Sequence, residues 1–172
     1  DDEQFNGQRD AIVQRAAEAG VRTMVTVGTT AASSQHCLEL ARRFESVQAA
    51  VGIQPNYCAE AADGDWDTVL GLVEQPEVVA LGETGLDRHW DYSPFPLQQD
   101  YFDRHLRLSQ QTGLPFIVHM RDCGEEILQM LREAHTRGPL HGVMHSFTGD
   151  LATMQECLEL GMHISFAGMV TY

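Results

Sequence analysis

Apolar runs of strand length alternate along this chain with segments whose apolar positions recur at helical period. The runs Arg22 to Gly28, Val47 to Ile53, Val78 to Gly82 and Pro115 to His119 come first, followed by His141 to His145 and His163 to Ala167. Their β-branched content and near-continuous apolarity predict parallel strands covered on both faces. Between them, apolar stripes of helical period predict helices, the third of them spaced at i, i+3, i+4 and i+7. These stripes are Ile12, Ala16 and Ala19; Cys37, Leu38, Ala41 and Phe44; and Trp66, Val69, Leu70 and Val73. The later three are Tyr101, Phe102, His105 and Leu108; Ile127, Leu128 and Leu131; and Leu151, Met154 and Leu158. Gly20, Gly113 and Gly161 stand where three of the helices should stop before a strand.

Six strands alternating with helices, and no linker between them, describe a βα array. Such an array is either an open doubly wound sheet or a (β/α)8 barrel. No Gly-x-Gly-x-x-Gly follows a strand and no Gly-x-x-x-x-Gly-Lys-Ser/Thr occurs, so a nucleotide cradle is not indicated and the barrel is preferred.

Composition narrows this picture without changing it. The 172 residues suit one domain, and 43% hydrophobic with 21% charged residues is ordinary for a packed core. No run reaches the ~18–20 apolar residues of a membrane span, and no signal peptide is evident, so a cytoplasmic protein is expected. The net charge of −14 excludes a broad basic surface that grips nucleic acid by general attraction. Cys37, Cys58, Cys123 and Cys157 form no Cys-x-x-Cys pair and read as reduced thiols in apolar positions.

Chemistry in βα folds gathers where strands end and the following loops begin. Those positions hold Gln54-Pro55, Gly82 to Asp87, His119 to Asp122 and His145 to Gly149. Glu83, His119 and His145 are therefore expected at one level on three consecutive strands. With strands ~4.7–4.9 Å apart, they could converge on one ion. Two imidazoles and a carboxylate suit a divalent metal, and a carboxylate can bridge two. Taken singly, each has a plainer explanation as a cap or a hydrogen-bonded structural residue; the constellation favours the metal. His36, His105, His135, His141 and His163 are read as structural or surface residues, and His89 as a residue that could face the mouth of the site.

At these residues the chain resembles a known family. Gly82-Glu83-Thr84-Gly85-Leu86-Asp87, Leu114 to Asp122 and Gly142 to Gly149, with Gln98 and Phe102 between the first two, are similar to the ordered motifs of the TatD family of metal-dependent deoxyribonucleases. Those enzymes are amidohydrolase-like TIM barrels, so the resemblance implies an α/β TIM (β/α)8 barrel with about six of its eight strands here. It implies two divalent ions (Mg, Mn or Zn), with Glu83 as the bridging, catalytic carboxylate and His119 and His145 as further ligands. It also implies Arg121 facing a substrate phosphate, Asp122 supporting it, and DNA or another phosphodiester as the partner, with no obligate protein partner indicated. The chain departs from the family at Gln54, where the pattern Gly-x-His-Pro carries histidine. Glutamine can hydrogen-bond a phosphate but cannot serve as an imidazole acid or base.

Asp1-Asp2-Glu3, where the chain opens, resembles the residues just after the family's first-strand His-x-His pair, and Gly168 to Tyr172, where it stops, falls one strand before the family's Asp-bearing last strand. Residues 1–172 are thus expected to form a single domain incomplete at both ends and inactive on its own. The expected function is an exonuclease-like deoxyribonuclease. The alternatives are a small-molecule hydrolase on the same scaffold and a non-catalytic barrel with a binding role.

Overall fold

The computed structural model describes residues 3–171; Asp1, Asp2 and Tyr172, named above for where the chain starts and stops, lie outside the described residues. Six strands form one sheet in sequence order: β1 (Met24–Val27), β2 (Val47–Val51), β3 (Val78–Asp87), β4 (Phe116–Arg121), β5 (Gly142–Met144) and β6 (Met162–Ile164). Every neighbouring pair is parallel. The helices are α1 (Arg9–Glu18), α2 (Ala31–Arg43), α3 (Asp65–Leu72), α4 (Phe95–Thr112), α5 (Gly124–His135) and α6 (Leu151–Glu159), with a 3₁₀ turn at Pro55–Tyr57. The predicted α/β array is therefore present. Its sheet is not closed into a barrel among the described residues.

One hydrophobic core joins the sheet to its helices. Val51, Leu81, Leu86, Phe102, Phe116 and Ile127 are among its buried members. Local chemistry places the helix ends. Thr30 caps α2 by accepting the Ser33 backbone N–H, while the Ser33 hydroxyl accepts the Thr30 N–H in return. At the other end of the fourth helix, Gly113 takes φ +75° and stops α4 where its sequence position predicted.

The predicted stripes need adjusting at both ends of the chain. In α6, Leu151 and Leu158 are exposed, and the helix instead seats Met154, Cys157 and Leu160 against the core. Cys157, read as an apolar-position thiol but left out of the predicted stripe, holds the buried position. In α1 no residue is fully buried, and Val13 rather than Ala19 packs on the core. All four cysteines are free and buried. Burial pushes each thiol up, Cys58 to about 12 and Cys123 and Cys157 to about 11.

Strand β3 differs most from expectation, running five residues past its predicted end at Gly82. Its register against β4 slips between Leu81 and Thr84, so one extra residue of β3 is accommodated there. Beyond the slip the ladder resumes with Gly85 opposite His119 and Asp87 opposite Arg121.

Candidate active site

This bulge sets the geometry of the candidate centre. Glu83 and Asp87 stand two residues either side of Gly85, and Gly85 is paired with His119 on the neighbouring strand. A β-carbon on Gly85 would lie 2.1 Å from the His119 carbonyl oxygen, so only glycine lets the two backbones approach this closely. The two acids clasp the imidazole from both sides. Nε2 of His119 lies 2.8 Å from Asp87 Oδ2, and Nδ1 lies 3.3 Å from Glu83 Oε1.

Asp87 is 1% exposed and fully committed. Its Oδ1 accepts the backbone N–H groups of His89 and Trp90 at 2.8 and 3.0 Å. Its Oδ2 also accepts from Asn56 Nδ2 at 3.0 Å. Gln98, buried in α4, receives the Asp87 N–H at 2.9 Å and donates to the Ser93 carbonyl, fixing both ends of the intervening loop. Burial works against charge on Asp87, but the bonds from Trp90, Asn56 and His119 outweigh it and hold the carboxyl below its ordinary range. For His119, burial again opposes the charged form, and the bonds and charges of Glu83 and Asp87 raise its pKa nonetheless.

The other expected residues divide into neighbours and outliers. Arg121 is the last residue of β4, two positions from His119, and makes no salt bridge among the described residues. Asp122 follows in the left-handed region at φ +55° and pairs across 3.4 Å with His89, which leads away from Asp87. Gln54 is buried and its Oε1 accepts the Asn56 N–H at 2.8 Å. It thus stands behind Asn56, which in turn bonds Asp87. His145 lies directly after β5, its backbone N–H bonded to the Val118 carbonyl at 2.9 Å, but its side chain is exposed and joins neither Glu83 nor His119. Glu83 and His119 lie inside strands, and reach each other diagonally rather than at one level.

No three His, Cys, Asp or Glu side chains form a ready metal cage among the described residues. The donor chemistry nonetheless fits a divalent cation. A carboxylate and an imidazole meet on adjacent strands, with the far nitrogen of the ring held by a buried second carboxylate, the arrangement that fixes a metal-binding histidine's tautomer. Asn56 Oδ1 is buried beside them with no partner among the described residues, a further unpaired acceptor.

Asp87 and Asn56 are the members of this cluster that sequence reasoning passed over. Asp87 was quoted only as the end of a loop motif; the period-two spacing of Glu83, Gly85 and Asp87 was the signal that the strand continued. Asn56 carried no sequence signal at all. Of the histidines read as structural, His105 is the clearest. It is fully buried, its Nδ1 donating to the Tyr101 carbonyl at 2.7 Å and its Nε2 accepting the Ile53 N–H at 3.2 Å.

Comparison with known proteins gives a consistent set of relatives. A family model described as "TatD related DNase" matches residues 1–172. The chain is 35% identical over 167 residues to a protein of Salmonella typhimurium named "3'-5' ssDNA/RNA exonuclease TatD", covering 97% of this chain and 64% of that one. It is 31% identical over 170 residues to "Uncharacterized metal-dependent hydrolase YabD" of Bacillus subtilis, covering 99% and 66%. The chain thus spans slightly under two thirds of the length of these curated relatives. Among solved structures, the Escherichia coli TatD homologue YJJV superposes with TM-score 0.91 at 32% identity, over 100% of this chain and 66% of that one. A TatD family hydrolase of Entamoeba histolytica superposes with TM-score 0.82 at 26% identity, over 92% and 56%.

Proposed function

The chain belongs to the TatD-related DNase family, and on that premise we propose that the encoded protein is a metal-dependent phosphodiester hydrolase, an exonuclease-like deoxyribonuclease. The observation that carries this reading is His119, held between Glu83 and Asp87 with Arg121 two residues along the same strand. Glu83 and His119 would hold divalent metal, with His145 as a further donor from the next strand. Two ions are proposed, for which Glu83 would be a shared ligand; mixed imidazole and carboxylate ligands accept Mg, Mn or Zn according to supply. The chemistry that such ions would supply there is Lewis-acid polarisation of a phosphoryl group and activation of water at neutral pH.

The chain's own residues do the rest. Asp87 accepts from Nε2, which leaves Nδ1 of His119, 3.3 Å from Glu83 Oε1, as the ring nitrogen that would exchange its proton for a cation shared with Glu83. Arg121, free of any carboxylate among the described residues, offers a planar fork of donors to a phosphate. Asp122 and His89 pair at the rim beside it, and both are proposed as substrate contacts. Gln54 is proposed as a phosphate contact through its amide NH2, since its Oε1 accepts the Asn56 backbone N–H. With a net charge of −14, recognition must rest on such local contacts rather than on long-range attraction.

The test uses the full encoded protein, stripped of metal by EDTA and dialysis, with an end-labelled single-stranded oligonucleotide. Shortening from one end is expected only after Mg²⁺, Mn²⁺ or Zn²⁺ is restored, and Glu83→Gln or His119→Ala should reduce it at least about 100-fold. Cleavage that persists without metal, or hydrolysis of amides and esters with none of the oligonucleotide, would overturn the reading.

A further inference from the structure

Between Asp87 and Ser93 the chain does something that packing does not explain. Both ends of this loop are pinned and buried, Asp87 by the bonds already described and Ser93 by accepting the Ala59 N–H at 3.0 Å. Arg88 adds a third anchor. Its N–H bonds the Arg121 carbonyl, its Nε bonds Glu126 at 2.7 Å, and its guanidinium lies 3.8 Å from the Phe95 ring centroid. Yet the two largest side chains of this fixed loop face water, Trp90 at 43% and Tyr92 at 58% exposure.

Those rings are ordered against each other. Trp90 and Tyr92 stack with centroids 5.4 Å apart and planes 10° from parallel. The His89 and Trp90 rings stand at 89° with centroids 4.6 Å apart, and the Arg121 guanidinium lies 5.9 Å from the Trp90 centroid. One face of Tyr92 is covered by Trp90; no other ring lies on its far face among the described residues. The result is a rigid, flat aromatic surface beside the one guanidinium placed to meet a phosphate.

We propose that the Trp90–Tyr92 pair is a stacking platform for an unpaired nucleobase, seated next to the phosphate held by Arg121. This rests on the phosphodiesterase reading of the neighbouring centre. Three features select that occupant. The platform is flat and aromatic, and every base has a π-face to lay on it, so binding is tolerant of sequence. Of the two adjacent arginines Arg88 is paired with Glu126, leaving Arg121, with Asp91 and Asp122 close by in sequence, so the surface lacks the positive field that would hold a duplex by its backbone. Bases within a duplex are stacked on each other, and only an unpaired base can leave its neighbours for an aromatic side chain. The anchored loop also means that little ordering is required on binding, which favours affinity.

A fluorescein-labelled short single strand and an abasic strand of equal length and charge test this by anisotropy, at low salt in EDTA so that no cleavage intervenes, with the full encoded protein. The base-bearing strand is expected to bind about tenfold or more tightly than the abasic one. Trp90→Ala and Tyr92→Ala should each erase that preference, and Tyr92→Phe should keep it. Equal affinity for the two strands, no measurable binding, or an undiminished preference in both alanine variants would overturn the platform. Cleavage assayed separately keeps the two readings apart. Retained base preference without metal-dependent cleavage would overturn the phosphodiesterase and leave the platform standing, whereas cleavage without base preference would do the reverse.

Discussion

Acidification should weaken this fold through one buried histidine. His105 is wholly enclosed, with its Nδ1 proton given to Tyr101 and its Nε2 lone pair used by Ile53, so a second proton has nowhere to go without breaking the bond to β2's exit. Burial is the main cause that drives its pKa down to about 4; the Tyr101 bond works the other way and the Arg104 charge adds to the lowering. The unfolded imidazole, near its ordinary 6.5, takes up its proton first as pH falls. Stability from this residue is therefore full above about pH 6.5 and is lost as pH drops toward 4. The whole shift corresponds to about 3 kcal/mol, of which about 2 kcal/mol disappears between pH 7 and pH 5. Urea unfolding of the wild type and of His105→Gln, at pH 7, 6 and 5, separates this from the titration of carboxylates common to both. The variant should start less stable, and its deficit should shrink by about 2 kcal/mol on going to pH 5. A deficit that stays constant across that range would refute the assignment of a depressed pKa to His105.

Other consequences are more local. Asp87→Asn should weaken Mn²⁺ binding measured by calorimetry about 10–100-fold, because the residue that orients His119 loses its charge; unchanged affinity would remove Asp87 from the centre. Gly85→Ala places a β-carbon 2.1 Å from the His119 carbonyl at φ +123°, and should cost about 3 kcal/mol or more in unfolding free energy, or prevent recovery of soluble protein. A variant as stable as the wild type would mean that β3 and β4 can separate without penalty. Thr30→Ala removes the side-chain half of the α2 capping box and should lower stability by about 1 kcal/mol, with Thr30→Ser nearly neutral.

The six strands were readable from the chain because parallel strands buried on both faces leave continuous apolar runs, and β2 and β4 do so plainly. The helix stripes were readable where large side chains carry them, as Phe102 and Leu108 do in α4. They failed in α6, where a cysteine holds the buried position and two leucines face outward. The centre was legible as a list of residues but not as an arrangement. Glu83 reaches His119 because β3 bulges and continues, and a register slip has no composition of its own. Read as a loop, Gly82 to Asp87 put the chemistry at a strand end. As a strand, it places two acids on one face and turns the second of them, Asp87, into the residue that orients the histidine. Gln54 was expected at the substrate, yet its side-chain oxygen is taken up by Asn56, a local backbone bond that residue identity alone does not reveal.

The four buried thiols lend themselves to a different use. Cys37 lies in α2, Cys58 follows the 3₁₀ turn, Cys123 caps α5 and Cys157 lies in α6, so each sits under a separate piece of the helical layer. Raised pKa values and enclosure make all four inert toward alkylating reagents while the layer is closed. Modification then proceeds only through transient lifting of the covering segment, at a rate set by that segment's own opening equilibrium. Read residue by residue by mass spectrometry, the order in which these thiols react is a map of which parts of the protein breathe first, recorded without altering a single side chain beforehand.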